Sequence, residues 1–201
     1  FIDHLLTWMI AVPIFGICAL ALVRTRWAVR VVALGATLVN VVFAALLWYS
    51  FDFDTPAMQF VERVEWMPAF GIEYAVGVDG ISILLVLLTT LLTPLCVLSS
   101  WNAITTNVKA FMMLVLVVEC AMLVVFTALD LFLFFMLWEI TMIPMYFMIV
   151  LWGGPKRVSA GLKFVLYSLT GRYGRGGKQG TDVYIESQIG ERGGDHLLAS
   201  A

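Results

Sequence analysis

Long apolar runs alternate with short polar segments along this chain, and the runs set its architecture. Crossing a hydrocarbon core of about 30 Å takes about 20 consecutive apolar residues. Such runs occupy 5–23, 27–50, 80–98, 110–129 and 131–152, and a sixth over 158–170 stops short. The pattern predicts an all-α fold, a polytopic transmembrane helix bundle with five full spans and a truncated sixth. The first run is a poor signal peptide, because it lacks a basic leading region and is longer than a normal signal core. The chain starts at Phe1 rather than Met, and a few residues are expected to precede it. The division is therefore a transmembrane region over 1–170 and a Gly-rich polar tail over 171–201.

Basic residues in short loops orient a membrane protein. Arg24, Arg26, Arg30, Lys109, Lys156 and Arg157 fall in alternate loops, against Arg63 alone in the others. The N-terminus is expected outside, with the first basic loop inside. Segment 51–79 then lies outside. It carries Pro56, Pro68, Phe60, Trp66, Phe70 and Tyr74, together with Asp52, Asp54, Glu62, Glu65, Glu73 and Asp79. Trp and Tyr favour the membrane–water interface, so this segment reads as a folded cap on the membrane surface. Asp79, followed by Gly80 and Ile81, reads as the N-cap of the third span.

Composition agrees and excludes other classes. Hydrophobic residues make up 62% of the 201 residues and charged residues 13%, with a mean hydropathy of +0.97. Soluble domains are about 45–50% apolar and about 25% charged. A soluble protein, a disordered chain and a soluble catalytic enzyme are therefore excluded. The net charge of -2 leaves no basic footprint for nucleic acid. Cys18, Cys96 and Cys120 sit singly in apolar runs, and His4 and His196 lie near opposite ends. That pattern offers no cluster for zinc, haem or an iron–sulfur centre, and any redox chemistry is expected on another chain.

Three ionisable residues fall inside the runs: Glu119, Glu139 and Lys163. A charge at the bilayer centre costs at least about 2.5–3.5 kcal/mol, and such groups usually face a bundle interior and mark ion pathways. At a rise of about 1.5 Å per residue, Glu119 lies roughly 15 Å in from Lys109 and Glu139 roughly 14 Å in from Asp130. Both carboxylates thus fall near the midplane, on consecutive antiparallel spans. Lys163 lies roughly 9 Å in from Arg157. A buried carboxylate balanced by a lysine suits a proton relay; a static Glu–Lys pair fastening helices is the competing reading. Pro144, five residues after Glu139, removes a helix hydrogen bond beside the acid.

GVDGISILLVLLTT (77–90), LSSW (98–101), ALDLFLFFMLWEITMIPMYFMIVLWGG (128–154) and KFVLYSLTG (163–171) together resemble the antiporter-like membrane subunits, chain M, of the proton-translocating NADH–quinone oxidoreductase, respiratory complex I. The resemblance spans residues 1–171 and is most specific at DLFLFFMLWE. It implies about fourteen membrane helices in the complete family member, similarity to cation/proton antiporter subunits, and no redox centre on the chain. NADH, FMN, iron–sulfur centres and quinone would belong to other subunits. It implies proton movement along a hydrated polar axis at mid-membrane, coupled to quinone reduction elsewhere. The family's fifth-helix glutamate falls on Glu139, its fourth-helix glutamate on Glu119 and its sixth-helix lysine on Lys163. The seventh-helix lysine that pairs with the counterpart of Glu139 has no equivalent here. The implied partners are the other membrane subunits of complex I and the lipid bilayer, and no nucleic acid. The implied location is a bacterial plasma membrane or, alternatively, a mitochondrial inner membrane.

Beyond Gly171 the pattern changes to RYGRGGKQGTDVYIESQIGERGGDHLLASA. A Gly- and Arg-rich segment does not sit at membrane depth beside lipid. GRGGKQG departs from a phosphate-binding loop at Arg172 and Gln179. The tail reads as the product of a frameshift or assembly error, which resequencing of its coding DNA would decide. Two further readings stand beside the proton-translocating subunit: a Na⁺(K⁺)/H⁺ antiporter subunit of a multisubunit complex, and an inert truncated fragment that neither pumps nor assembles.

Overall fold

The computed structural model describes residues 4–52, 54–55, 57–67, 72–168 and 170. The tail over 171–201 lies outside the described residues. Five long helices and one β-hairpin follow in order: α1 (Leu5–Leu22), α2 (Arg26–Ser50), β1 (Gln59–Met67), β2 (Ile72–Val78), α3 (Ser82–Ala103), α4 (Val108–Thr127) and α5 (Leu131–Trp152). All five helices are long and apolar enough to cross a membrane. Helical backbone resumes over 157–168.

The helix ends differ from the apolar runs for local reasons. α3 continues five residues past the run because Ser100 turns its hydroxyl back onto the Cys96 carbonyl and so satisfies it within the helix. α4 stops at Thr127 because the next residues pair with the hairpin: Val76 bridges Ala128, and Leu129 N–H donates to Ala75 O at 2.8 Å. α4 starts after Asn107, which takes the left-handed conformation at φ 50°, one that Asn tolerates better than most residues.

The segment read as an external folded cap contains an antiparallel two-stranded sheet. Its register pairs Gln59 with Val78, Arg63 with Ala75 and Val64 with Tyr74. β1 packs on α1, while β2 packs on α4 and α5.

Charged side chains close the helix ends in a consistent pattern. At the hairpin end, Glu62 accepts from Thr7 N–H in the first turn of α1 (3.3 Å), Asp79 from Ser82 N–H at α3 (2.6 Å), and Asp130 from Leu133 N–H at α5 (2.9 Å). At the opposite end, Lys109 Nζ donates to Ala21 O (2.7 Å), Arg30 to Ile104 O (3.0 Å) and Arg157 to Leu151 O (3.2 Å). Three helices that run the same way thus carry an anion at the positive start of their dipole and a cation at the negative finish. Each such contact contributes roughly 0.3–1 kcal/mol. The basic loops share one end of the bundle as the charge alternation requires.

Two apolar clusters fill the interior. One, at the hairpin end, joins Leu6, Met9, Leu47, Val76, Ile83 and Leu123; the other joins Leu20, Val29, Ala33, Val97, Met112 and Leu116. On each of α2, α3 and α4 the residues between these clusters are polar and buried: Thr37 and Asn40, Thr90 and Thr93, and Glu119. At the same level α1 presents Gly16. A Cβ there would stand 3.0 Å from both Ala36 Cβ and Leu116 Cδ1, so α1 approaches α2 and α4 closely.

Candidate functional site in the bundle interior

The polar layer exists because helical spacing places one or two polar residues of each of α2, α3 and α4 on the inward face. Thr37 and Asn40 are three residues apart on α2, hence on one side of it. Thr37, Thr90 and Thr93 turn their hydroxyls onto carbonyls of their own helices, at Leu34 (2.9 Å), Val86 (3.0 Å) and Thr89 (2.8 Å). Those groups are locally satisfied and make no demand on their neighbours.

Glu119 differs. It is 1% exposed, eleven residues into a twenty-residue helix, and accepts one hydrogen bond, from Asn40 Nδ2 to Oε1 at 3.1 Å. Glu119 Oε2 and Asn40 Oδ1 are buried and without a hydrogen-bond partner among the described residues. A buried carboxylate with one donor and no nearby cation is costly as an anion. It is also a group whose state changes most when a proton or a water reaches it.

Glu139 lies near the middle of α5, which packs against α4, and is half-buried. Its neighbour Trp138 lines a cavity of about 220 Å³ together with Met122, Thr141, Met145, Phe164 and Ser168. Pro144 interrupts the helix hydrogen bonds one turn beyond the acid. Lys163 is exposed on the 157–168 stretch. The residue that the count of charges overlooked is Asn40. An amide within the run VNVVF carries no charge to count, yet it is a polar group that lipid would not accept without a partner.

A second buried carboxylate lies at the hairpin end. Glu62, 8% exposed, accepts from Thr7 Oγ1 (2.5 Å) and Thr7 N–H, with His4 Nδ1 at 3.3 Å. Tyr74 OH stands 3.3 Å from Thr7 Oγ1, and burial raises its phenol above the ordinary value of 10.0.

This architecture defines a polytopic helical membrane protein with a buried and a half-buried carboxyl on consecutive helices. Comparison with known proteins narrows the class. The family model described as "NADH-ubiquinone oxidoreductase chain 4, amino terminus" matches residues 7–127, and "NADH:quinone oxidoreductase/Mrp antiporter, TM" matches residues 128–174. The chain belongs to this family of NADH-quinone oxidoreductase membrane subunits. It is 48% identical over 140 residues to NADH-quinone oxidoreductase subunit M of Rhodobacter capsulatus, covering 70% of this chain and 27% of that protein. It is 41% identical over 169 residues to the chloroplastic NAD(P)H-quinone oxidoreductase chain 4 of Chara vulgaris, covering 83% and 34%. Its fold is similar to a chain in respiratory complex I from Thermus thermophilus, with a TM-score of 0.68 at 24% identity, covering 85% of this chain and 33% of that one. The chain thus spans about a third of the length of the relatives it matches.

Proposed function

We propose that this chain is the N-terminal part of a proton-translocating subunit of NADH–quinone oxidoreductase. It moves H⁺ through a polar layer at mid-membrane while quinone is reduced on other subunits. The observation that supports this most is the buried, half-satisfied Glu119–Asn40 pair, with Glu139 at mid-span on the adjoining helix. Glu139 exchanges the proton, and Glu119 and Lys163 tune or feed it. NADH, FMN, iron–sulfur centres and quinone belong to partner subunits. The basic end faces inward and the hairpin outward, in a bacterial plasma membrane or a mitochondrial inner membrane.

The test is NADH-driven proton uptake by the assembled complex in liposomes. Glu139→Gln is expected to lower proton translocation about tenfold or more while the complex still assembles. Unchanged translocation would overturn the reading. The antiporter reading is favoured by one observation, the match over 128–174 to a model shared with Mrp antiporters. Sodium-driven proton exchange without NADH, lost in Glu139→Gln, would select it.

A further inference from the structure

We propose that Asn40 is the positioning partner of Glu119 and that the two side chains hold one proton between them. This deepens the proton-translocation reading by naming a residue that sets the orientation and protonation of one of its carboxyls. The two helices meet where two apolar clusters leave a polar layer, and both residues are at most 1% exposed. Asn40 Nδ2 donates to Glu119 Oε1 at 3.1 Å, which fixes the carboxyl plane. The remaining oxygens of the pair, Glu119 Oε2 and Asn40 Oδ1, are both buried and both lack a partner among the described residues.

Two orphaned acceptors beside one satisfied bond carry a chemical implication. An ionised carboxylate only accepts hydrogen bonds, and the amide carbonyl does the same. Together they leave two unmet acceptors in a medium where an unmade hydrogen bond is costly. A proton on Oε2 turns one acceptor into the donor that Oδ1 lacks. The amide and the acid then match, N–H to C=O and O–H to C=O. The groups on the packed elements do not compete for this role. Arg30 and Lys109 are engaged with carbonyls at the basic end, and Cys120 Sγ donates to Ile10 O at 3.6 Å. Glu139, on α5, is a carboxyl like Glu119 and so adds no counterion.

Infrared difference spectroscopy of the full chain in lipid tests this without turnover. At neutral pH the unaltered chain is expected to show the carbonyl band of a protonated carboxyl that Glu119→Gln removes. Asn40→Leu, checked for retained helix content, is expected to move that band to higher frequency, because the bond to Oε1 is gone. A merely structural Asn40 would leave the band where it is. Absence of the band in the unaltered chain, or an unmoved band in folded Asn40→Leu, overturns the proposal. Should Asn40→Leu not fold, a chain with isotope-labelled asparagine carbonyls carries the test. One labelled band shifts in Glu119→Met if Oδ1 accepts from Oε2, and an unshifted set overturns the proposal. A missing Glu119 band with normal pumping would remove the pairing and leave the transport reading. A present, Asn40-sensitive band with pumping indifferent to Glu139 would do the reverse.

Discussion

Glu62 and Glu119 are both buried carboxylates, but their surroundings differ. Glu62 sits at the hairpin end, where a hydroxyl, a backbone N–H and an imidazole converge on it and the start of α1 adds its dipole. Glu119 sits between two apolar clusters with one amide donor and two oxygens left over. The first is a fastener, whose value lies in being fully bonded in one state. The second is poorly bonded as an anion and gains from taking up a proton. Burial alone therefore does not mark function; incomplete hydrogen bonding at depth is the better sign.

The comparison can be broken from either side. Glu62→Ala takes the carboxylate acceptor from the N–H of Thr7 and leaves its hydroxyl with Tyr74 OH, and it is expected to cost the largest amount of stability, about 2–3 kcal/mol. Thermal or denaturant unfolding in detergent measures it. Replacing both partners, Glu119→Met with Asn40→Leu, is expected to leave stability unchanged or raised, since it removes the whole buried polar pair, while proton translocation by the assembled complex falls about tenfold, equivalent to about 1.4 kcal/mol. If this double replacement and Glu62→Ala destabilised the chain equally, the distinction would collapse. Thr7→Val deletes the hydroxyl donor but keeps the backbone N–H, with an expected loss of about 1 kcal/mol in the same unfolding assay.

The smallest effect concerns a cap at the membrane surface. The hydroxyl and backbone N–H of Ser82 both donate to Asp79, holding its carboxyl below the ordinary 3.8. A lowered value in the folded chain means that the cap's stabilisation is present above the ordinary value and lost as pH falls through the folded one. Asp79→Ala is expected to cost about 1 kcal/mol or less at neutral pH. The difference between variant and parent should vanish in acid titrations carried well below pH 3.8.

The helices were legible because lipid demands long uninterrupted apolar runs, and this chain meets that demand with its charges gathered at the ends. The hairpin was not. Among the described side chains of β1, the most buried is Glu62, while Phe60 packs partly on the core and Val61 and Val64 are exposed at 43% and 60%. The usual rule of apolar-in and polar-out is reversed there, because the inward position faces a helix terminus rather than an apolar core. Along β2, Ala75, Val76, Gly77 and Val78 are all buried, so no alternation is available to read. Within the bundle, Glu119 and Glu139 stood out as charges in apolar text. Asn40 did not, because a search for ionisable residues passes over an amide. Lys163 was equally visible.

The contact between Glu62 and Thr7 bridges 55 positions of sequence. A ribosome adding about 5–20 residues per second needs roughly 3–11 seconds to make that interval. Until that interval is made, the N–H of Thr7 lacks this partner. The start of α1 therefore stays provisional until the hairpin has folded back against it. Locking of the first span thus becomes a late event in biogenesis, and it reports that everything between the two residues has reached its proper place.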